Sequence, residues 1–376
     1  MNRDIADMTK GFEIGPIRPP SEAESLLLRI TRNCPWNKCK FCSLYRKHKF
    51  STRSVEEIKT DIDQVAQIRS DIISGRPLEL LDLSEEIRQR YLYIHSWINS
   101  GEESVFLQDA NTVVLTYDKL REILSHLREK LPNVKRVTTY GRVDSLNKFT
   151  VEQLSGLRQT GLDRIHSGYE SGSDEVLALI NKGYTKAQEI EAGQKVMASG
   201  IELSVYFMPG IGGRDLSDSN ALETADVIGK VNPDFVRIRT FVAQKGTVLY
   251  NDIAAWLVTE CTDLEKMREL KKMIEHIDGA DGQLYSDHII NLLEEVHGNM
   301  ETDKEKILSV FAAFERLEAI DQRRYQIARR LGLVRSLEHF KLLSSAQLAT
   351  VDEYLSKLNT DEKFETFLRG ILRRYI

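Results

Sequence analysis

The sequence predicts an α/β protein: a partial parallel (β/α)6 barrel with a helical insertion and a helical C-terminal region. Short β-rich runs alternate with helical segments through the middle of the chain, which implies right-handed βαβ crossovers. Six such units point to a barrel, or a partly open one, more than to a flat sheet. The third observation is a change of period. After Lys245-Gly246-Thr247 the strand signals stop, and from Asp263 onward apolar residues recur at helical spacing.

The strands are expected at Ser25–Ile30, Ser104–Gln108, Val134–Tyr140, Asp163–Gly168, Ile201–Met208 and Asp234–Thr240. Between them, helical patterns cover Val55–Ser70, Tyr117–Leu131, Thr150–Thr160, Asp174–Ile180 with Lys186–Ser199, and Ser219–Val231. This organisation gives an N-terminal arm (1–24), a core (25–250) interrupted by a helical insertion at about 71–101, and a helical region (251–376). Pro19-Pro20 ends the arm, and the insertion reads as two helical stretches, Leu80–Arg90 and Tyr91–Ile98.

The 376 residues are 41% hydrophobic and 29% charged, too apolar for a disordered chain. With 52 Lys and Arg against 57 Asp and Glu, the net charge is −5, so no overall basic surface suits a nucleic-acid backbone. No apolar run approaches the roughly 20 residues that span a bilayer. The charged start lacks the apolar core of a secretory signal. A cytoplasmic location is therefore expected.

Of the four cysteines, three fall within nine residues: Cys34, Cys39 and Cys42, spaced C-x4-C-x2-C directly after the first strand. The clustering asks for a metal rather than a disulfide. Three thiolates can each bind one iron of a cubane and leave the fourth iron open. The alternative from the same residues is a zinc site in a binding module without catalysis, with His48 completing a Cys3His set. Cys261 lies far downstream and belongs to neither arrangement.

The other expected strand ends carry polar residues where a barrel places its chemistry. Asp109 follows the second strand, where a carboxylate suits an ammonium group or caps a helix. Arg142 follows the third, where a guanidinium suits a ligand carboxylate or makes a surface ion pair. Beyond the fourth strand stands Glu170-Ser171-Gly172-Ser173, with Ser173 placed as a helix N-cap. The fifth ends in Met208-Pro209-Gly210-Ile211-Gly212-Gly213, whose glycines let backbone approach a flat ring. That run does not match the dinucleotide fingerprint. On the sixth, Arg237 and Arg239 share a face, and Arg239 is nearer the strand end. His166 is placed inward by alternation. His95, His126, His288 and His297 are assigned to helical segments, and Arg323, Arg324, Arg329, Arg330 and Arg335 to a C-terminal helix face that is solvated or, as the alternative, meets an anionic substrate or partner.

The cysteine loop, with Phe41 between its last two cysteines, resembles that of the radical S-adenosylmethionine (radical SAM) superfamily, in particular its Elp3/MiaB/coproporphyrinogen-oxidase-like group. The family pattern has one residue fewer between the first two cysteines. The segment from Glu170 to Leu177 resembles the family's ESGS-x-x-VL run. The resemblance spans about Leu26 to Leu249. It implies a [4Fe-4S] cluster on Cys34, Cys39 and Cys42, with S-adenosylmethionine as cofactor. Asp109 would take the methionine ammonium, Arg142 or Arg239 a carboxylate, and Glu170 the ribose, with Ser171 fixing the turn. The backbone around Gly210 and Gly212 would lie against adenine. It implies reductive cleavage to a 5′-deoxyadenosyl radical, fed by a flavodoxin or ferredoxin, that abstracts hydrogen from a substrate. A small molecule is expected there; protein or RNA is the alternative partner, with nucleic acid not favoured by the charge. No second cysteine set supports an auxiliary cluster, and the segment before the first strand is short for a cobalamin domain.

Overall fold

The structure, a computed structural model, describes residues 12–75 and 84–375. The first part of the arm (1–11), residues 76–83 of the insertion (Leu80 among them) and the last residue lie outside the described residues. The chain divides into two compact units. The first comprises 12–37, 47–75, 84–167 and 195–203, and the second 38–46, 168–194 and 204–375.

The strands are β1 (Leu26–Arg29), β2 (Thr31–Arg32), β3 (Ser51–Thr52), β4 (Ser104–Gln108), β5 (Arg136–Tyr140), β6 (Arg164–Glu170), β7 (Glu202–Phe207), β8 (Phe235–Ile238), β9 (Gln283–Tyr285) and β10 (His297–Asn299). The first part of the chain supplies helices α1 (Val55–Ile73), α2 (Glu85–Asn99), α3 (Tyr117–Lys130), α4 (Val143–Leu146), α5 (Val151–Thr160), α6 (Asp174–Leu179), α7 (Lys186–Ala198) and α8 (Ser217–Val231). There follow α9 (Val248–Ala254), α10 (Asp263–His276), α11 (Lys304–Glu315), α12 (Ala319–Arg330), α13 (Leu337–Lys341), α14 (Ser345–Lys357) and α15 (Asp361–Leu372).

In the first unit the order is β1-β4-β5-β6, all parallel, with Leu27 opposite Phe106 and Val105 opposite Val137. Val105, Phe106 and Leu107 are all buried, the unbroken apolar run of a strand covered on both faces. In the second unit β7, β8 and β9 are parallel and β10 is antiparallel to β9. The fold is therefore α/β with a mostly parallel sheet. The helices form where apolar spacing and caps coincide. Ser54 and Glu57 close a reciprocal capping box at the start of α1, whose Ile58, Ile62, Val65 and Ile68 face inward. Thr150 with Gln153 starts α5, and Gly161 at φ 109° ends it.

Three expectations need correction. Strands do recur after Thr247: β9 and β10 are three residues each, too short for a period of two to stand out. His297 lies on β10 and His288 in a turn, not on helices. The C-terminal arginines are not one solvated face. Arg323 and Arg324 pair with acids of α14 and the start of α15, whereas Arg329 and Arg330 are buried and Arg335 lies beyond α12. Arg330 makes a two-pronged ion pair with buried Asp263 (2.9 and 2.8 Å) and donates to the Ile290 carbonyl at 3.0 Å. Removing one partner leaves an uncompensated buried charge. Asp263→Ala is expected to cost about 3–5 kcal/mol in denaturant unfolding.

Candidate active site

In the first unit, β1 runs into β2, which turns back to pair with β3 through Thr31 and Thr52. The start of the cysteine loop leaves from this pair. Asn33 adopts φ 68°, and its backbone N–H donates to Asp109 Oδ2 at 3.2 Å. The same oxygen accepts from Arg29 Nη2 at 2.8 Å. Asp109, fully buried just past β4, thus ties the residue before Cys34 to the sheet, and its charge is met by Arg29. Asn33 Nδ2 donates to the Lys49 carbonyl at 2.6 Å, and the Asn37 N–H points at Cys34 Sγ at 3.4 Å. Arg142, buried at the start of α4, lies 5.5 Å over the Trp36 ring and bonds Asp144 at 3.0 Å. Sequence alternation correctly turned His166 inward; it is fully buried and bonds Glu22 at 3.2 Å. Burial alone would raise the Glu22 carboxyl, but hydrogen bonds from His166 and Ser25, with the charge of Arg136, hold it below the usual range.

The rest of the loop, 38–46, belongs to the second unit. The Lys40 N–H donates to the Ile180 carbonyl at 2.8 Å and its carbonyl accepts from the Leu249 N–H at 2.9 Å, so strand-like bonds hold it from both sides. Lys40 Nζ also pairs with Asp252 at 3.0 Å. Phe41 packs on an apolar cluster that includes Val176, Ile180 and Leu249. Arg46 donates to the carbonyls of Cys39 (2.7 Å) and Cys42 (3.0 Å). Cys39 is buried, Cys34 and Cys42 half-buried, and no disulfide joins the four cysteines. Cys261 is set apart: burial pushes its thiol up to about 12, an inert environment.

Glu170 ends β6 at φ 70°, and its Oε1 pairs with Lys182 Nζ at 2.8 Å. Lys182 is buried over the rings of Phe41 and Tyr184. It was missed in the sequence because it lies twelve residues on, in no pattern that links it to Glu170. Buried Ser171 accepts from the Ser173 N–H at 3.0 Å, and Ser173 caps α6 as expected. A Cβ on Gly172 would stand 2.5 Å from the Glu223 carbonyl, so close helix packing requires glycine there.

Gly210 and Gly212 are buried against the protein's own chain. A Cβ at either would stand within 3 Å of Lys266 or Val176, and Gly210 has φ 84°. Glu269 of α10 secures this turn; it accepts from the Gly210 N–H (2.8 Å), Asn220 Nδ2 (2.6 Å) and the Ser217 hydroxyl (2.5 Å). Arg239 lies exposed just past β8, whereas Arg237 is buried over Tyr285 and 3.6 Å from Asp287.

Among the described residues, no group of three His, Cys, Asp or Glu side chains is placed to hold a single metal ion. A cubane makes a different demand, one thiolate on each of three irons. Three thiols on nine residues, with an amide N–H directed at the first sulfur, fit that donor set.

Burial drives the Glu269 carboxyl up from 4.5 to about 7, against the hydrogen bonds from Ser217, Gly210 and Asn220 and the charge of Lys266. With the folded value above the unfolded one, its stabilising contribution is complete below pH 4.5 and is lost as pH rises through about 7. Glu269→Gln is expected to flatten the stability profile across that window by a few kcal/mol, measured by denaturant unfolding from pH 4.5 to 8.

The tRNA-2-methylthio-N(6)-dimethylallyladenosine synthase of Syntrophus aciditrophicus is 27% identical over 157 residues, 42% of this chain and 32% of that protein. The tRNA uridine(34) acetyltransferase of Methanocaldococcus jannaschii is 27% identical over 100 residues, 26% of this chain and 18% of that protein. The chain thus spans about a third or less of the length of these curated relatives. Among solved structures, a cobalamin-dependent S-adenosylmethionine radical enzyme with aqua-cobalamin and S-adenosylmethionine bound aligns at 15% identity and TM-score 0.45, over 94% of this chain and 58% of that one. Methylornithine synthase aligns at 14% and 0.40, over 87% and 86%. The family profile of the Radical SAM superfamily matches residues 28–225, more than half of the chain. With that match the chain belongs to the Radical SAM superfamily, enzymes whose cofactors are a [4Fe-4S] cluster and S-adenosylmethionine.

Proposed function

We propose that Cys34, Cys39 and Cys42 hold the cluster and that the enzyme uses it to cleave S-adenosylmethionine reductively, in order to abstract hydrogen from a small-molecule substrate. The observation that carries this reading is the three-thiol loop after β1 within a chain segment that matches the family. When bound, the cluster and cofactor would supply the one-electron chemistry and the 5′-deoxyadenosyl radical. The protein's own part is placement. Asp109 and Arg29 fix the backbone before Cys34, and the Lys40 ladder with Arg46 fixes the backbone around Cys39 and Cys42. Glu170, partnered by Lys182, offers its carboxylate to the ribose hydroxyls, and Ser171 sets the turn that follows. Arg142 offers its guanidinium for a carboxylate beside Trp36. The Gly210–Gly212 turn presents backbone to adenine, Arg239 adds a cation, and a flavodoxin or ferredoxin-type protein supplies the electron.

An RNA substrate is the second reading, because the printed names of two relatives describe enzymes of tRNA modification. The net charge of −5 weighs against it. Release of 5′-deoxyadenosine under dithionite, with candidate metabolites and bulk tRNA in separate assays, distinguishes the two. Cys34→Ala, Cys39→Ala or Cys42→Ala is each expected to abolish cleavage, and Cys261→Ala to retain most of it. Loss of activity in a folded Cys261→Ala variant would contradict the ligand assignment.

A further inference from the structure

The segment Ser286–Asn291 leaves the end of β9 and is fastened along its length. The Ser286 N–H donates to the Val296 carbonyl at 3.0 Å, and the Asn291 N–H to the His288 carbonyl at 2.9 Å. Buried Arg329 and Arg330 donate to the carbonyls of Ile289 (3.1 Å) and Ile290 (3.0 Å). The Asn291 side chain latches the segment to the chain just beyond β8. Its oxygen accepts from the Thr240 N–H (2.9 Å) and hydroxyl (2.8 Å), and its nitrogen donates to the Ile238 carbonyl at 2.8 Å. Arg239 sits between those two residues. His288 and Arg239 therefore each lie just past the carboxyl end of one of two adjacent parallel strands, the edge at which α/β sheets place ligands.

The chemistry of the pair is set by its surroundings. The Ile290 N–H points at His288 Nδ1 at 3.3 Å, so Nδ1 is the bare nitrogen and Nε2 carries the proton. Burial, helped by the charges of Arg239 and Arg329 and opposed by Asp287, pushes His288 down to about 4, which keeps it neutral near pH 7. The nearby acids have cations of their own: Asp287 faces Arg237 at 3.6 Å and Glu294 pairs with Arg329 at 3.0 Å. Arg239 is exposed. What remains on offer is an exposed guanidinium and, within reach of its charge, an imidazole N–H donor on a fastened segment.

We propose that Arg239 and His288 Nε2–H bind an anionic oxygen of the substrate, a carboxylate or a phosphate. The word substrate rests on the function proposed above, but anion binding requires neither cluster nor cofactor. The test is an NMR titration of the full-length protein that follows the His288 side-chain nitrogens, with inorganic phosphate, acetate and S-adenosylmethionine added in separate arms. Phosphate or acetate should shift the His288 Nε2 signal saturably, and the tighter of the two identifies the substrate's head group. Arg239→Gln, at an exposed position that leaves the fold intact, should weaken that binding about tenfold or more. His288→Gln, which keeps an N–H donor, should weaken it less. An unmoved His288 signal, or an Arg239→Gln variant that binds as tightly as the parent, overturns the proposal. So does a shift by S-adenosylmethionine alone, since the anion would then be the cofactor's carboxylate. Absence of 5′-deoxyadenosine release would instead count against the proposed function.

Discussion

A loop proposed to carry three sulfur ligands is useful only if the backbone that carries it is held without help from the ligands themselves. Here the hold is polar and mostly buried. Asp109 carries a charge wholly removed from water, which is tolerable because Arg29 meets it at 2.8 Å and a backbone amide shares the same oxygen. That amide belongs to Asn33, the residue before Cys34. Further along, main-chain bonds from Lys40 to Ile180 and Leu249 do the same for the stretch between Cys39 and Cys42. The energetic logic is that of any preorganised site: ordering is met during folding, so that ligand binding need not supply it.

The second unit repeats this strategy at each strand end. Glu170 is paired by Lys182, the glycine turn after β7 is fastened by Glu269, and the chain just beyond β8 is fastened by Asn291. In each case a polar side chain from a later element reaches back to a turn that sequence reasoning had treated in isolation. Family membership accounts for the cofactors. The local networks account for the conformation that each of these turns holds.

Much of this was legible in the sequence. The alternating strands were visible because parallel strands covered on both faces leave runs such as Val105-Phe106-Leu107, and helices announce themselves through caps such as Ser54 with Glu57. The cysteine spacing and the segment after Glu170 led to the superfamily. What stayed hidden depended on pairing across long stretches of chain. Arg330 looks like a surface residue until Asp263, sixty-seven positions earlier, is known to be its partner. Nothing in the sequence shows that Arg29 stands beside Asp109. Lys182 and Glu269 carry no local signal at all, and the three-residue strands β9 and β10 are too short to show one.

The most direct measurement is electron paramagnetic resonance of anaerobically prepared protein reduced with dithionite, with iron, sulfide and zinc quantified on the same sample. The account predicts about four iron and four sulfide per chain, and a cluster signal that changes when S-adenosylmethionine occupies the open iron. A sample with one zinc per chain and no signal, or a cluster signal indifferent to S-adenosylmethionine, would contradict it.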